Sequence, residues 1–549
     1  SARVFKLRGR LFRGVKRIQR RIDAPKHRPR MKLNAVLGAI DAENSQHVAL
    51  LKTSLRQAGG ATSRGVFELS VGEHAAAWAV DQRRLVFNLL RRGEDEIGEG
   101  NFRDRDVRVW SAKNHSAVRS EDASLYTILL TKRQQRCIVG NSIMARPNRP
   151  LNIICFATFF KGGDFMRACK AEGCNVILVT KEKMLNEDWP RDVLDEMFAL
   201  PNDAPVELFL DLVAHIAKTR KVGRIVALEE FDVVVAALAR EHLCLPGMSS
   251  STAKTFRDKY SMAVKARYAG LTVPDFVPAI NNEEIADYMN RVPPPWVLKP
   301  RSDVSAIGIR KLDNADEAWK AIEELNQREA LRERASYHVL ARFIAGEVFH
   351  VDSLVKNNSV AFAGVNKYGR PPLQVAHGGG AYISQTIPHD SPEKKKLLKI
   401  NRRLIKAMRM ETGATHAEFI KSDVDGDFYF LEIASRVGGA HIADVLEAAS
   451  GINLWREWAK LDVDGAGHGT HLRPRREHAG IVLSLAKQEF PDTSAYDDPE
   501  IAYRVKKKHH AGLIVRSKSH ERVSELLNDY AIRFENDFIA VLPPLERPE

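Results

Sequence analysis

The residues whose types and spacing most readily suggest chemistry are two glutamates and an arginine in the last third of the chain. Glu418, in HAEFI, and Glu432, in YFLEIAS, fall on two apolar runs flanking Val424-Asp425-Gly426, a sequence suited to a hairpin turn. On paired arms the two carboxylates can face one another. Like charges directly opposite destabilise a sheet, so a cation between them would resolve the conflict. Magnesium bridging nucleotide phosphates is the natural candidate, because it is commonly held by one or two carboxylates plus phosphate oxygens. Arg436 stands four residues beyond Glu432 and precedes Gly438 and Gly439. A guanidinium there could hold a transferring phosphoryl group, whose transition state spreads charge over three oxygens. Far upstream, Lys299 ends the apolar run WVLKP, where Pro300 blocks continuation and leaves the ammonium at a strand end facing a cleft. The next segment, RSDVSAIGIRKL, carries Ser302, Ser305 and Gly308, small residues able to offer backbone N–H groups to phosphate oxygens. Taken singly, each feature has a plain alternative: a solvated strand end, an ordinary hairpin, or a surface salt bridge.

Taken together and in this order, the motifs resemble those of the ATP-grasp superfamily of carboxylate-amine ligases, from about Leu151 to the end of the chain. FRDKYSMAVKARYAGLTVPDF looks like the family's Asp-Lys helix and the turn after it, which maps a first nucleotide lysine onto Lys259 and a second, in WVLKP, onto Lys299. VLARFIAGEVFHVDSLV is similar to the strand, hinge and strand that enclose adenine. The resemblance implies backbone contacts near Arg342, Phe343 and Ile344 and a ribose contact from Glu347; Val348 stands where the family often has a second acid. HAEFI and FLEIASRVGG resemble the metal-binding strands, mapping the metal carboxylates onto Glu418 and Glu432 and the phosphate-contacting arginine onto Arg436. One departure concerns the metal: many members carry Asn two residues after the second glutamate, where this chain has Ala434. PLQVAHGGGAYIS would be the loop near the acyl acceptor, bringing His377, Gly378, Gly379 and Gly380 toward the substrate. His441 reads as a helix-start residue, and the cluster Glu229, Glu230 and Asp232 as rim residues at a strand end.

The resemblance implies an enzyme, an ATP-dependent carboxylate-amine ligase working through an acyl phosphate on amino-acid-like small molecules. Its cofactors would be ATP and magnesium, with manganese as an alternative ion, and Lys299 and Arg436 would be its catalytic cations. The alternatives are a carboxylate-thiol ligase, a degenerate ATP-binding protein suggested by Ala434, and a nucleic-acid-binding protein suggested by the basic N-terminal segment.

These residues need particular elements to position them. From Leu151 the order strand, helix, strand repeats: LNIICFATFF and NVILVT are strands, Val206 to Lys218 a helix, Gly223 to Leu228 a strand and Phe231 to His242 a helix, the pattern of a Rossmann-like parallel sheet. A Pro, Gly and Ser cluster at LPGMSSS marks a boundary before a helix from Ala253 to Ala269. An α+β layout with antiparallel pairs follows, including a long helix from Asn314 to Arg334 and another from Lys394 to Met410. The tail from Ala479 reads as a small cap with a helix at Ser519 to Asp529. The expected organisation is a basic segment at 1–143, an α/β domain at 144–252, an ATP-grasp domain at 253–470 and a C-terminal α+β cap at 471–549. The fold class is thus α/β and α+β multidomain.

Charge separates the first segment from the rest. The net charge of +14 comes from 84 Lys+Arg and 70 Asp+Glu, and residues 1–143 alone hold 28 of the former and 14 of the latter. The remainder is neutral, so the excess says nothing about the partners of the main body, and nucleic acid is not an expected ligand of it. The segment is Arg-rich, with apolar periodicity only in fragments, and opens on SARVFKLRGRLFRGVKRIQRRI, a candidate amphipathic basic helix. It is not expected to be a native folded domain, and Met144 is the expected native start. Five cysteines without paired spacing (Cys137, Cys155, Cys169, Cys174, Cys244), no apolar run near the roughly 20 residues needed to span a bilayer, and no signal peptide point to a cytoplasmic protein without membrane partners. Small-molecule carboxylates and amines are its expected partners, and a homodimer is left open.

Overall fold

The computed structural model describes residues 150–303, 307–373, 375, 380–464 and 472–540, together with the backbone of several strands between Lys52 and Val118. The chain divides into two units, Ser1–Ile143 and Met144–Glu549, at the point where the basic excess ends. In the first, β1 (Lys52–Arg56), β2 (Gly65–Val71), β3 (His74–Asp81) and β4 (Arg84–Leu90) pair antiparallel in sequence order, and β5 (Val109–Trp110) pairs with β6 (Ala117–Val118). The expected amphipathic opening lies outside the described residues.

The second unit begins with a parallel sheet of β7 (Asn152–Phe156), β8 (Asn175–Lys181), β9 (Glu196–Leu200) and β10 (Val222–Ala227), in the order β10-β7-β8-β9. Its inner strands β7 and β8 read as nearly unbroken apolar runs because both faces are covered. Ile153 and Cys155 pack toward the helix Gly163–Ala171, whereas Ile154 and Phe156 pack toward the helices Val206–Ala217 and Val233–His242. The chain leaves β7 toward β8 and β9 and returns on the other side as β10. The carboxyl ends of β7 and β10 therefore border a topological switch point, the usual place for a crevice in such sheets.

Two helices, Ser250–Thr255 and Lys259–Tyr268, stand where one was expected from Ala253 to Ala269. Asp258 breaks the run: its carboxylate accepts from the Tyr260 and Ser261 N–H groups and starts the second helix afresh, with Lys259 at its first position. A four-stranded antiparallel sheet follows, built from β11 (Phe276–Pro278), β12 (Trp296–Pro300), β13 (Arg310–Leu312) and β14 (His338–Arg342) in the order β11-β14-β12-β13. Its helix Ala315–Asn326 is shorter than the expected Asn314 to Arg334. Ala318, Ala321 and Ile322 give it a buried face, but most of the residues from Gln327 to Arg334 are exposed, and without an apolar stripe the chain continues as short turns.

The remaining strands form one eight-stranded sheet: β15 (Gly346–Lys356), β16 (Ser359–Tyr368), β17 (Tyr382–Thr386), β18 (Thr412–Ser422), β19 (Phe428–Ala434), β20 (His478–Leu485), β21 (Ile501–Arg504) and β22 (His510–Ser517). The order is β19-β18-β15-β16-β17-β20-β22-β21. Because β17 pairs directly with β20, this sheet runs on across residue 471. The helix Pro392–Met408 starts two residues before the expected Lys394, with Ser391 capping it and Pro392 opening it, and His520–Asp537 runs past the expected Asp529. Among the described residues, no helix is long and apolar enough to cross a membrane.

Candidate functional site

The four-stranded antiparallel sheet and the eight-stranded sheet border a cleft of about 870 Å³, and nine residues singled out in the sequence line it: Lys259, Lys299, Arg342, Phe343, Ile344, Glu347, Glu418, Glu432 and Arg436. Of the expected acceptor loop, His377, Gly378 and Gly379 lie outside the described residues. Gly380 is described at φ +109°, where a Cβ would strike the Arg370 guanidinium at 2.2 Å, but it is not among the residues lining the cleft.

The facing of the two glutamates depends on a bulge. From Lys421 to Phe419 the register of β18 against β19 is regular, pairing Phe419 with Phe430; it then slips, so that Leu431 is passed over and Glu418 lies opposite Glu432. Without this extra residue Glu418 would oppose Leu431, and the second carboxylate would be aimed to the far face. The same face of the sheet carries a buried polar chain. Asp352, fully buried, accepts from the His416 Nδ1 at 2.8 Å on one oxygen and meets the His350 Nδ1 at 2.5 Å on the other. His350 Nε2 reaches the Ser384 hydroxyl at 2.8 Å. At the cleft end, the Tyr368 hydroxyl donates to Glu418 Oε1 at 2.7 Å, and His416 Nε2 lies 3.4 Å from the same oxygen.

These contacts set the charges. Burial alone would raise the Glu418 carboxyl, but the His416 hydrogen bond and charge, with the Tyr368 hydroxyl, hold it well below the usual range. Burial likewise opposes a charged His416, and Asp352 beside it outweighs that, so the imidazole is held positive. Burial pushes the Lys299 ammonium down to about 8; Glu432 opposes the shift and Lys259 adds to it.

Lys259 is buried, donates to the Asp303 carbonyl at 2.5 Å and lies 3.1 Å from Glu432 Oε2. Asp258, which starts its helix, is clamped by the Arg301 guanidinium. Arg436 is anchored from the parallel domain: its Nε and a terminal nitrogen meet Glu230 Oε2 at 3.0 and 2.9 Å, and Arg257 meets the other Glu230 oxygen at 2.5 Å. Burial would raise the Glu230 carboxyl, but Arg436 and Arg257 hold it low.

The acids expected at the rim are instead buried. Glu229 is 4% exposed, Glu230 6% and Asp232 2%, because the switch-point crevice is closed by the second half of the chain. Glu229 pairs with Lys161 at 2.5 Å, and Asp232 accepts from the Thr158 N–H and hydroxyl, both at 2.8 Å. Sequence reasoning missed Tyr368 and His416 beside Glu418, and it missed the anchoring role of Glu230. For Glu230 the available signal was three acids closing a buried strand. His441 stands just before the helix Ile442–Ser450 without a side-chain capping bond, its ring Nδ1 2.8 Å from the Asp444 carboxylate.

At the other end the wall is apolar: Phe343, Ile344, Val348, Ile420 and Leu431. The hinge backbone is partly spent, since the Arg342 N–H donates to the Asp275 carbonyl and the Phe343 N–H to the Pro295 carbonyl. Glu347 sits at the start of β15 and pairs with Lys367. Among the described residues, the grouping of three metal-ligand side chains within 4.8 Å is His350, Asp352 and His416 rather than the two glutamates. Both imidazole Nδ1 atoms are spent on Asp352 and His350 Nε2 on Ser384, whereas His416 Nε2 faces Glu418 at 3.4 Å. Glu418 and Glu432, opposite each other and open to the cleft, are the pair that fits a cation, because both are acceptor-only groups and Glu432 already draws the Lys259 ammonium toward the gap.

Residues 256–440 match the ATP-grasp domain family. Over 273 residues the sequence is 23% identical to the L-arginine-specific L-amino acid ligase of Bacillus subtilis, a match spanning 49% of this chain and 64% of that one. The chain thus spans under two thirds of that relative's length. Among solved structures, an L-amino acid ligase from Bacillus licheniformis superposes with a TM-score of 0.57 at 18% identity, covering 72% of this chain and 99% of that one. The biotin carboxylase domain of the Hydrogenobacter thermophilus 2-oxoglutarate carboxylase, in complex with MgADP, ADP and bicarbonate, does so with a TM-score of 0.55 at 15% identity, covering 70% and 90%.

Proposed function

Because the chain belongs to the ATP-grasp superfamily, we propose that it is an ATP-dependent ligase joining the carboxylate of one amino-acid-like molecule to the amine of another through an acyl phosphate. The observation that carries this reading is the convergence of Lys259, Lys299, Glu418, Glu432 and Arg436, drawn from one helix, three strands and the loop after β19, on one cleft whose far end is apolar. That division suits a nucleotide. The base lies among Phe343, Ile344, Val348, Ile420 and Leu431, and with the Arg342 and Phe343 N–H groups engaged, Ile344 is the hinge position that donates to it. Glu347 at the cleft edge reaches the ribose hydroxyls.

At the charged end Lys259 and Lys299 hold the phosphate chain, and Glu418 and Glu432 hold the divalent ion. When bound, the ion screens the phosphate oxygens and so lets a second anion approach. Arg436, fixed by Glu230, faces the transferring phosphoryl group. A substrate carboxylate oxygen bonds to the γ-phosphorus while the bond to ADP breaks; the amine nitrogen then bonds to the acyl carbon, phosphate leaves, and the amine gives up a proton. No protein nucleophile is required, so catalysis is positioning and electrostatics. The two amino acid ligases similar to the chain support amino acids as the substrate class.

The test is phosphate release by the purified chain with amino acids singly and in pairs, followed by one pair carrying an ¹⁸O-labelled carboxylate. One ¹⁸O transferred to the released phosphate is the expected result. Product formation with unlabelled phosphate would exclude the acyl phosphate.

A further inference from the structure

Ala434 brings no donor atom to the neighbourhood of the paired glutamates, and the register of the sheet shows what stands opposite it. Ala434 on β19 pairs with His416 on β18, one step along the same face from the pair Glu432 and Glu418. We propose that the His416 imidazole supplies a third protein ligand to the divalent ion, in the space left by Ala434, and that it shifts the preferred ion from magnesium toward manganese. The inference rests on the reading above that this end of the cleft holds a metal–nucleotide.

Four observations carry it. His416 lines the cleft, although only 7% exposed, so its ring reaches the site from within the sheet. Its two nitrogens are in unequal surroundings: Nδ1 is bound tightly, 2.8 Å from Asp352 Oδ1, whereas both neighbours of Nε2, the Tyr368 hydroxyl and Glu418 Oε1, stand off at 3.4 Å. The Tyr368 proton is directed at Glu418, 2.7 Å away, and not at the imidazole. Nε2 and Glu418 Oε1 therefore border a gap of the right width, since two ligands each about 2.1 Å from one ion lie roughly 3.0–3.4 Å apart.

An imidazole whose far N–H is donated to a buried carboxylate is the usual arrangement of a metal-bound histidine, because that bond fixes both tautomer and ring plane. Here the carboxylate is itself fixed, by His350 on its second oxygen, and His350 in turn meets Ser384. The backbone closes over this pair. A Cβ at Gly438 would lie 2.8 Å from Asp352 Oδ1 and 3.1 Å from His416 Nδ1, so the loop that carries Arg436 also locks the ring. Without the ion, a proton fills the place between the imidazole and Glu418; the ion takes that place with a larger positive charge. A nitrogen ligand among carboxylates suits manganese and its heavier neighbours better than magnesium, which is bound through oxygen.

The experiment uses the full chain labelled with ¹⁵N-histidine, unlabelled non-hydrolysable ATP analogue and Mn²⁺, read by pulsed electron paramagnetic resonance. One directly bonded ¹⁵N is expected, distinct from any adenine nitrogen because the nucleotide is unlabelled. Titration should show Mn²⁺ bound at least about tenfold more tightly than Mg²⁺. In the His416→Ala protein the ¹⁵N coupling should vanish and Mn²⁺ affinity fall by about 10- to 100-fold. Adding Ala434→Asn to that variant should restore Mg²⁺ binding without restoring the coupling. Tight Mn²⁺ and nucleotide binding with no ¹⁵N coupling in the unsubstituted protein would overturn the proposal and leave the nucleotide site standing, with His416 only bracing Glu418. Failure to bind nucleotide or Mn²⁺ at all would remove the site itself, and the proposal with it.

Discussion

The two ends of the cleft are built on opposite principles. At the apolar end Phe343, Ile344, Val348, Ile420 and Leu431 form a wall with nothing to exchange when a base arrives. At the charged end the principal charges already have protein partners: Lys259 with Glu432, Arg436 with Glu230, Glu418 with Tyr368 and His416. These internal partners hold the groups in position before a ligand binds, and some must be given up when it does. On the proposed function, the apolar end would govern how tightly a nucleotide is held. The charged end would govern what happens to it.

The sharpest way to break this contrast is at the charged end. Glu432→Gln or Lys299→Ala should lower turnover by at least about 100-fold, the scale of losing one preorganised electrostatic element, with a much smaller change in nucleotide affinity measured by calorimetry. Near-normal turnover in both variants would mean that the charges are only structural. Glu230→Gln comes next. It leaves Arg436 and Arg257 without their shared counter-charge, so chemical denaturation should show a loss of about 3–5 kcal/mol, and turnover should fall about 10- to 100-fold even where the protein remains folded. A folded variant with unchanged turnover would show that Arg436 does not need its anchor.

The third effect depends on pH. Lys299 titrates at about 8 because burial disfavours its charge. It is fully protonated well below that value and loses its positive charge as pH rises through it, so kcat/KM for ATP should be flat on the acid side and fall about tenfold per unit above. Lys299→Arg should move that descending limb to higher pH, since a guanidinium keeps its proton. A limb that stayed in place would assign it to another group. The smallest change is expected at the apolar end, where Leu431→Ala or Ile420→Ala should weaken nucleotide binding by about five- to tenfold at nearly constant kcat. A fall in kcat instead would dissolve the distinction between the ends.

The sequence disclosed the cleft residues well and their partners poorly, and the reason is physical. Lys299 before a strand-ending proline and two glutamates astride a turn are marked by local chain geometry, which is written in neighbouring residues. Glu230 is separated from Arg436 by about two hundred positions, and nothing near either names the other. The same holds for His350 and Asp352, hidden in an apolar run that reads only as a buried strand, because alternation tells which face a side chain takes and not what it meets there. The break at Asp258 was visible in principle, since an aspartate can cap a helix as well as ride in one. The bulge at Leu431 was not, because the count of residues between the two glutamates is compatible with either register.

The direct pairing of β17 with β20 means that the last eighty or so residues do more than cover the core. Cutting the chain after residue 471 would strip hydrogen-bond partners from Tyr382 to Gln385 and leave an unpaired border of the kind that recruits other chains. Tyr382 also lines the cleft, so the tail is stitched to the cleft wall through that shared strand, as well as through the helix Ile442–Ser450 packed on β20 and β22. A shortened protein should lose solubility and chemistry together, with no stage at which only one is gone.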